Sequence, residues 1–356
     1  MDDRQIKLTR FIQQTNKAYK LELAQMGRKF AALKMDRFSS GILSLDLALG
    51  GGWPFSRIAM IAGEESTGKT LITIKAAASV EEYDHITKKH KSEVEEKKFR
   101  CGRCLIIDVE GAYDIDWAES NGLNPDLHVV VRPECSEQTI DIVTNAIQEN
   151  IFDLIIVDSI AAMTPGKEIE EGSESWQMGL AARLNNKAFR AWNAKLNKLS
   201  STSIKGPLLL CLNQFRINIG QMFGDPRTLP GGRAQKFCTS IIIYTKSQKF
   251  KDTKDAEIGE VELQGVTKKN KTYVLGMPYS FKLKLKTAGE EVIGTIDNID
   301  QLAKYGQKYK LITKSGSKYM LAKKEYRSLD ELKVRLSQTP TLYDSLWKAI
   351  IKAAIK

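Results

Sequence analysis

A run of eight residues between positions 63 and 70 constrains the fold of this chain more than any other feature. It reads G-E-E-S-T-G-K-T and fits the pattern G-x-x-x-x-G-K-[ST] at every fixed position. A buried-looking strand at 57–62 precedes it, and an amphipathic helix at 71–83 follows it. Glycines let such a backbone wrap around a phosphate, whose charge is held by N–H groups and the helix N-terminus. We therefore predict a phosphate-binding loop made of Gly63, Glu64, Glu65, Ser66, Thr67, Gly68, Lys69 and Thr70.

Short apolar strands alternate with amphipathic helices from Ser39 onwards. This alternation indicates an α/β fold in which helices cover both faces of a mostly parallel sheet. The strands in the second half of the chain indicate hairpins at one end of that sheet. Beyond the first strand and helix, the predicted strands are 104–109, 154–157, 208–212, 241–244, 261–265 and 281–285, and the predicted helices are 137–149 and 179–199.

The loop and the ends of two strands predict an ATP site with Mg²⁺. Lys69 would reach the β- and γ-phosphates, and the Thr70 hydroxyl would ligate Mg²⁺. The third predicted strand ends in Asp158, as expected for the acid that orients hydrated Mg²⁺. The second predicted strand is followed by Glu110, a carboxylate that could orient the attacking water at the same sheet edge. The alternative for Glu110 is a loop carboxylate without a role.

Composition and charge narrow the class of protein. Hydrophobic residues make up 42% of the 356 residues, as in an ordinary globular chain, and no apolar run is long enough to cross a bilayer. The N-terminus has no secretory signal and the five cysteines form no disulfide framework, so we expect a soluble, cytoplasmic protein without a membrane partner. The net charge is +11, and residues 301–356 carry 13 basic but only 4 acidic side chains. These basic residues either attract polyanions or form a merely solvated surface.

The two ends of the chain differ in pattern from the middle. Residues 5–28 predict a helix, which either reaches a neighbouring molecule as an arm or packs on its own domain. Residues 81–100 form a charged insertion after the first helix of the core. Beyond about residue 290 we predict a small module with a hairpin near residues 315–317 and two closing helices.

Four stretches, together with the phosphate loop, resemble the RecA recombinase family. They read S-G-I-L-S-L-D-L-A-L-G from 40, V-D-S-I-A-A-M-T-P from 157, M-G-L-A-A-R from 178 and N-Q-F-R from 213. The resemblance implies a RecA-type P-loop ATPase core at 39–290, with a mostly parallel sheet flanked by helices. It also implies an N-terminal helical oligomerisation arm at 1–38 and a small, basic α+β C-terminal domain at 291–356. The charged insertion, the missing acidic tail and the divergent ends suggest a phage-encoded member.

The resemblance implies roles for residues around the nucleotide. Glu110 falls at the position of the family's catalytic glutamate. Gln214 falls at that of the glutamine which senses the γ-phosphate and signals to a DNA-binding loop. Asp114 and Trp117 fall where the family contacts adenine, with Trp in place of the usual Tyr.

A lysine pair is also similar to one in the family. Lys269 and Lys271 correspond to lysines that reach ATP bound by the adjacent subunit, and the segment that follows them is longer than usual. The alternative is a solvated face that happens to carry two lysines.

Two loops, around 168–178 and at 215–232, correspond to the family's DNA-binding loops, which line the filament axis. Basic groups there hold phosphates, and apolar side chains insert between bases. Trp176 stands where the family has a polar residue and provides either a stacking surface or a contact with the neighbouring helix. The candidates are Trp176, Met178, Ile219 and Phe223 for the bases, and Arg183, Arg190, Arg216, Arg227 and Arg233 for the phosphates.

Four residues in and after the insertion have identities that zinc could use: His85, His90, Cys101 and Cys104. Their order is not that of a standard zinc motif, and the charged run between them is typical of an exposed hairpin or helix. We therefore predict no zinc site.

The resemblance implies a protein that forms filaments on single-stranded DNA with ATP and Mg²⁺, pairs that DNA with a homologous duplex, and hydrolyses ATP when DNA is bound. Its expected partners are single-stranded and double-stranded DNA, further copies of itself, and single-strand-binding and mediator proteins. Two other functions stay open at this point. One is a hexameric motor such as a replicative helicase, and the other is an accessory protein that coats or loads DNA without exchanging strands.

Overall fold

The computed structural model describes residues 3–20, 24, 35–84, 89–90, 102–170, 179–201, 204–217, 227–247, 260–284 and 296–355. Its helices, in chain order, are α1 (Asp3–Tyr19), α2 (Leu43–Leu49), α3 (Lys69–Glu81), α4 (Ile115–Ser120), α5 (Ser136–Glu149), α6 (Gly166–Glu170), α7 (Leu180–Ser201), α8 (Ala234–Cys238), α9 (Asn298–Lys308), α10 (Leu329–Gln338) and α11 (Pro340–Ala354). Its strands are β1 (Arg37–Phe38), β2 (Trp53–Pro54), β3 (Ile58–Gly63), β4 (Tyr83–Asp84), β5 (Lys89–His90), β6 (Cys104–Asp108), β7 (His128–Val131), β8 (Leu154–Asp158), β9 (Leu208–Gln214), β10 (Arg216–Ile217), β11 (Arg227–Thr228), β12 (Ile241–Ser247), β13 (Glu260–Asn270), β14 (Pro278–Lys284), β15 (Ile312–Ser315), β16 (Lys318–Leu321) and β17 (Lys324–Tyr326). Within those ranges, no helix has both the length and the apolar character that a membrane crossing requires.

Eight strands form the central sheet in the order β14-β13-β12-β3-β9-β8-β6-β7. The strands from β12 to β7 pair in parallel, and β13 and β14 add an antiparallel hairpin at one edge. The mostly parallel sheet predicted from the sequence is therefore confirmed. β13 extends to Asn270, beyond the predicted end at 265, because its pairing with β12 continues as far as Ile241. β7 was not predicted, since a half-exposed edge strand of four residues carries little apolar signal.

Side chains of β3 alternate between two cores, one on each face of the sheet. Ile61 packs in the core that contains Ile72 of α3, whereas Met60 packs in the core that contains Phe189 and Trp192 of α7. Burial on both faces explains why the central parallel strands are almost continuously apolar in sequence. Both faces are thus covered by helices, as the alternation of elements predicts.

The short helix α2 joins the sheet to a third core at the C-terminal end. Leu45 and Leu49 pack into the core of the sheet, whereas Leu43 and Leu47 pack with residues of α9, α10, α11 and the β15–β17 sheet. The predicted hairpin near 315–317 is the β15–β16 turn, and the two closing helices are α10 and α11. One helix therefore has its two faces in two different cores.

Asp46, in the middle of α2, is fully buried at this junction. Its carboxylate accepts hydrogen bonds from Ser39 Oγ at 2.6 Å, from the Ser40 N–H at 2.6 Å and from Trp347 Nε1 of α11 at 3.2 Å. Burial still raises the pKa of Asp46 to about 6, because desolvation of the charge outweighs these hydrogen bonds. The junction between the core of the sheet and the C-terminal core therefore contains a carboxylate that accepts three hydrogen bonds and is shielded from solvent.

The N-terminal helix is shorter than the predicted span of 5–28. α1 ends at Tyr19, and Lys20 has a left-handed backbone with φ of 53°. Beyond Lys20, Ala24 is the one residue before position 35 that the structure describes, and its N–H donates to Asn16 Oδ1 at 2.7 Å. No residue of α1 is buried against the described part of the chain, and Phe11 is 63% exposed. The oligomerisation arm stays a prediction from the sequence.

Glu81, at the end of α3, is 5% exposed, so its ionisation provides a test of how α3 packs. Its Oε2 accepts the Asn124 N–H at 2.9 Å, while its Oε1 has no partner among the described residues. Burial raises the pKa of Glu81 from 4.5 to about 7, so the folded protein favours the protonated form. The resulting loss of stability begins as the pH rises above 4.5 and is complete above about pH 7.

The Glu81→Gln variant mimics the protonated acid. We expect the difference in melting temperature between this variant and the wild type to shift in favour of the variant when the pH is raised from 5 to 8. Thermal unfolding followed by circular dichroism at the two pH values measures this gain. Glu119→Gln, at an exposed position on α4, is the control and should show no pH-dependent gain. If the melting temperature of Glu81→Gln differed from that of the wild type by the same amount at both pH values, the raised pKa of Glu81 would be contradicted.

Candidate functional site

The phosphate loop follows β3 directly and ends where α3 begins at Lys69. A Cβ on Gly63 would lie 2.1 Å from Thr245 Oγ1 and 2.6 Å from Thr67 Oγ1, so only glycine fits there. Those two hydroxyls lie 2.7 Å apart and bond to each other, and Thr67 Oγ1 also donates to the Glu64 carbonyl at 2.8 Å. The loop is therefore anchored to β12 through Thr245, a residue that the sequence motif does not include.

Lys69 lies inside the curve of the loop. Its Nζ donates to the carbonyl of Glu64 at 2.6 Å, which is an interaction that a phosphate oxygen could replace. Burial lowers the pKa of Lys69, and the charges of Asp158, Glu110 and Glu65 act in the opposite direction. A cavity of about 420 Å³ opens over the loop and is lined by residues 65–71 together with Glu110, Asp158 and Gln214.

Thr70 and Asp158 lie side by side at the mouth of this cavity. The Thr70 hydroxyl donates to Asp158 Oδ2 at 3.1 Å. Desolvation raises the pKa of Asp158 to about 6, and the nearby carboxylate of Glu110 adds to this effect. A hydroxyl beside a carboxylate that lacks sufficient countercharge is a donor set that suits Mg²⁺. The residues present therefore fit the metal that the sequence predicts.

Glu110 is held by two donors on the same oxygen. Its Oε1 accepts the Ser159 hydroxyl at 2.5 Å and the Gln214 amide Nε2 at 3.3 Å. The parallel register brings the three residues together, because Asp108 pairs with Asp158 and Gly63 pairs with Gln214. Three strand ends, those of β6, β8 and β9, thus converge beside the phosphate loop.

Ser159 was not among the residues predicted for the site. It is 1% exposed and follows Asp158 directly. The available signal was a serine immediately after an apolar strand and its carboxylate. That signal is weak, because a serine in this position can equally cap the turn that follows.

Asp114 and Trp117 lie at the start of α4, the helix that follows β6. The Asp114 carboxylate accepts the N–H of Trp117 at 3.0 Å and so caps the helix. Asp114 is exposed and Trp117 is half-buried against the core of the sheet. Both have structural roles in this arrangement, and the adenine contact stays a prediction for each.

Lys269 and Lys271 do not line the cavity. They lie at the end of β13, beside the start of β12, and their Nζ atoms donate to the carbonyls of Lys236 and Phe237 at the end of α8. Thr245, which pairs with Gly63 on one side, pairs with Gly265 on the other, four residues before Lys269. Four residues span about 13 Å along a strand, so Lys269 lies that far along β13 from the level of the phosphate loop, and Lys271 lies two residues further.

The arginines predicted to bind DNA are on three neighbouring pieces of structure. Arg183 and Arg190 are exposed on α7, and Arg233 is exposed just before α8. The segment before α8 packs on α7, where the Ala234 N–H donates to Asn186 Oδ1 at 2.7 Å.

The other two arginines are on the short β10–β11 ribbon. Arg216 is exposed, and the Arg227 guanidinium lies 5.1 Å from the centre of the Phe215 ring. The apolar candidates Trp176, Met178, Ile219 and Phe223 lie outside the described residues.

The zinc-compatible residues are only partly within the described ranges. His85 and Cys101 lie outside them, and His90 is described by its backbone alone, in β5. Cys104 is fully buried in the core of the sheet, and its burial raises the pKa of the thiol far above the ordinary value. No group of three metal-binding side chains occurs among the described residues.

Comparison with known proteins finds similarity over most of the chain. The profile of the RecA N-terminal domain matches residues 6–279, well over half of the chain. The chain is 33% identical over 333 residues to Protein RecA of Francisella tularensis subspecies novicida, and the match covers 93% of this chain and 84% of the relative. Protein RecA of the subspecies tularensis and mediasiatica match with the same identity and coverage.

We expect Lys69→Ala to weaken ATP binding about 10- to 100-fold, because a charge-assisted hydrogen bond contributes about 1.5–3 kcal/mol. Titration of the protein with a fluorescent ATP analogue in the presence of Mg²⁺ measures the affinity. Lys268→Ala, at an exposed position on β13, is the control and should bind as the wild type does. If Lys69→Ala bound the ATP analogue with unchanged affinity, the phosphate loop would not be part of the nucleotide-binding site.

Proposed function

This chain belongs to the RecA family, and we propose that it pairs single-stranded DNA with a homologous duplex by assembling an ATP-bound filament. As a member of this family it is a DNA-dependent ATPase and a strand-exchange recombinase of homologous recombination and DNA repair. It binds single-stranded and double-stranded DNA and forms filaments. Single-strand-binding and mediator proteins as partners, a cytoplasmic location and a phage origin stay predictions from the sequence.

One observation carries the assignment of the ATPase site: the phosphate loop, the Thr70–Asp158 pair and the Glu110–Gln214 pair line one cavity. Lys69 and the N–H groups of the loop would bind the phosphates. Thr70 and Asp158 would hold Mg²⁺, which supplies positive charge to the phosphate oxygens when it is bound. Glu110 would orient the attacking water through Oε2, since Oε1 is occupied by two donors.

Gln214 would connect this site to DNA. It ends β9, directly before residues 215–232, and its amide donates to Glu110 at 3.3 Å. If the γ-phosphate attracts that amide, Gln214 leaves Glu110 and moves the start of the loop. DNA affinity then depends on ATP. Because arginines would contact phosphates and not base edges, binding should be nearly independent of DNA sequence and strongly dependent on salt.

Lys269 and Lys271 would act on the ATP of a neighbouring protomer. Lys269 lies about 13 Å along β13 from Gly265, the residue level with the end of β3, and Lys271 lies two residues further, which supports a role in trans. Asp114 and Trp117 would contact the adenine, and the Trp117 ring offers it a stacking surface. The basic residues of the C-terminal region would gather the incoming duplex.

Ser159 would position Glu110 during hydrolysis. When Gln214 moves to the nucleotide, the hydroxyl of Ser159 is the donor that still holds Oε1. We expect Ser159→Ala to lower kcat for DNA-stimulated ATP hydrolysis about tenfold, since a hydrogen bond to a charged group contributes about 1.5–3 kcal/mol. The KM for ATP should stay within about twofold of the wild type, because Ser159 does not line the phosphate-binding part of the cavity.

Steady-state kinetics with and without single-stranded DNA measure both constants. Ser136→Ala is a matched control, because Ser136 is equally buried and its hydroxyl has no partner among the described residues. If Ser159→Ala raised KM and left kcat unchanged, Ser159 would be a binding residue and not a positioning residue.

The proposed function is tested by ATP-dependent strand exchange between single-stranded DNA and a homologous duplex, with a heterologous duplex as control. We expect joint molecules only with the homologous duplex. DNA-stimulated hydrolysis without joint molecules would favour the loader, and ATP-driven unwinding of a duplex would favour the motor.

A further inference from the structure

The predicted DNA-binding loop at 215–232 is described at both of its ends. The near end, 215–217, follows Gln214 directly, and we call residues 227–232 the far end. The far end contributes none of the described residues that line the nucleotide cavity. Coupling between ATP and the far end therefore passes through the β10–β11 ribbon or through side chains that join the far end to the cavity.

Gln235, in the short helix α8, joins the far end to strand β9. The side chain is fully buried, and its amide makes four hydrogen bonds. Its Nε2 donates to three carbonyls of the far end, at 3.2 Å to Leu229, 2.6 Å to Pro230 and 2.9 Å to Gly232. Its Oε1 accepts a hydrogen bond from Asn213 Nδ2 at 2.9 Å. A buried amide with partners on both sides fixes the distance between the two pieces of chain that it joins.

Asn213 connects this amide to the residue predicted to sense the γ-phosphate. It is fully buried in β9, and its Nδ2 donates to the Pro230 carbonyl at 3.1 Å as well as to Gln235. Its Oδ1 accepts the N–H of Gln214 at 2.9 Å, and the Gln214 side chain donates to Glu110 at 3.3 Å. A continuous series of hydrogen bonds therefore runs from the far end to the carboxylate in the nucleotide cavity.

The far end reaches the same carboxylate by a second route, through Gly231. A Cβ on Gly231 would lie 3.0 Å from Ile160 Cγ2, so the backbone of the far end packs closely against Ile160. Ile160 directly follows Ser159, whose hydroxyl donates to Glu110 Oε1 at 2.5 Å. The far end is thus linked to both donors that hold Glu110, to one through the buried amides and to the other through Ile160.

We propose that Gln235 is a positioning residue for DNA-stimulated ATP hydrolysis. DNA phosphates bound by Arg227 and Arg233, at and beside the far end, displace the far end, and Gln235 transmits that displacement to the groups that hold Glu110. A close-packed, fully bonded amide transmits a shift because it has no free space in which to absorb it. This inference rests on the proposed function, because it assigns a route from the predicted DNA-binding loop to the ATPase site.

Hydrolysis of ATP by the full chain with Mg²⁺, with and without saturating oligo(dT), tests the proposal. The readout is the stimulation ratio, which is kcat with DNA divided by kcat without DNA. A smaller folded fraction lowers both constants equally and leaves this ratio unchanged. Gln235→Met keeps the length of the side chain but removes its hydrogen bonds, and it should lower the ratio at least about fivefold. An unchanged ratio in Gln235→Met would overturn the proposal.

Gln301→Met is the matched control for the loss of a buried amide. Gln301 is 8% exposed in α9, and its Oε1 accepts the Ser44 N–H at 2.7 Å. It lines no part of the nucleotide cavity, so this variant should keep the stimulation ratio of the wild type. A fall of the same size in both variants would show that the loss of any buried amide lowers the ratio, and Gln235 would then have no positioning role.

Hydrogen exchange of the wild-type chain gives a test that does not depend on the folding of a variant. Binding of a non-hydrolysable ATP analogue with Mg²⁺, in the absence of DNA, should change the exchange rates of backbone N–H groups in both 213–217 and 229–236. In Gln235→Met the change in 229–236 should be lost while the change in 213–217 remains. A change confined to 213–217 in the wild type would contradict the proposed coupling.

The two readouts separate this inference from the proposed function. A wild-type chain whose hydrolysis is not stimulated by single-stranded DNA contradicts the proposed function, and the exchange measurement without DNA still decides whether the far end is coupled to the nucleotide. Stimulation of the wild type together with an unaffected Gln235→Met variant contradicts only the role of Gln235.

Discussion

The parallel register of four neighbouring strands is the constraint on which the site depends. Gly63 of β3 pairs with Gln214 of β9, and Asp158 of β8 pairs with Asp108 of β6. Because parallel strands end at the same edge, residues that are far apart in sequence meet at one cavity without any long connecting loop. A slip of one residue in any of these pairings would turn the functional side chains to the other face of the sheet.

The described residues that line that cavity carry more negative than positive charge. Among the described residues that line it, Lys69 is the one basic residue, against three carboxylates from Glu65, Glu110 and Asp158. Desolvation raises the pKa of Asp158 to about 6, and the hydrogen bond from Thr70 and the charge of Lys69 offset this only in part. A bound cation beside Thr70 would supply the missing positive charge, so metal and nucleotide together suit the site better than either does alone.

The molecule has two further devices outside the cavity that connect its parts. Asp46 ties the segment before α2 to α11 through buried hydrogen bonds, and Tyr273 ties the turn between β13 and β14 to the same C-terminal helix. α11 is therefore held both at the junction of the cores and at the edge of the sheet opposite the phosphate loop. This arrangement couples the position of the C-terminal elements to the edge where we propose contact with a second copy.

Local chemistry could be predicted from the sequence, and spatial relations could not. The phosphate loop, the mostly parallel sheet and the strand-end carboxylates Asp158 and Glu110 follow from residue types at short spacing, because a loop motif and an apolar run are properties of neighbouring residues. Only the tertiary structure decided that Ser159 meets Glu110, that Thr245 anchors the loop and that Cys104 is buried. The tertiary structure also showed that Lys269 lies four residues along β13 from the level of its own phosphate loop. Each of these facts depends on which strands pair and in what register, and pairing is set by long-range packing that no local pattern encodes.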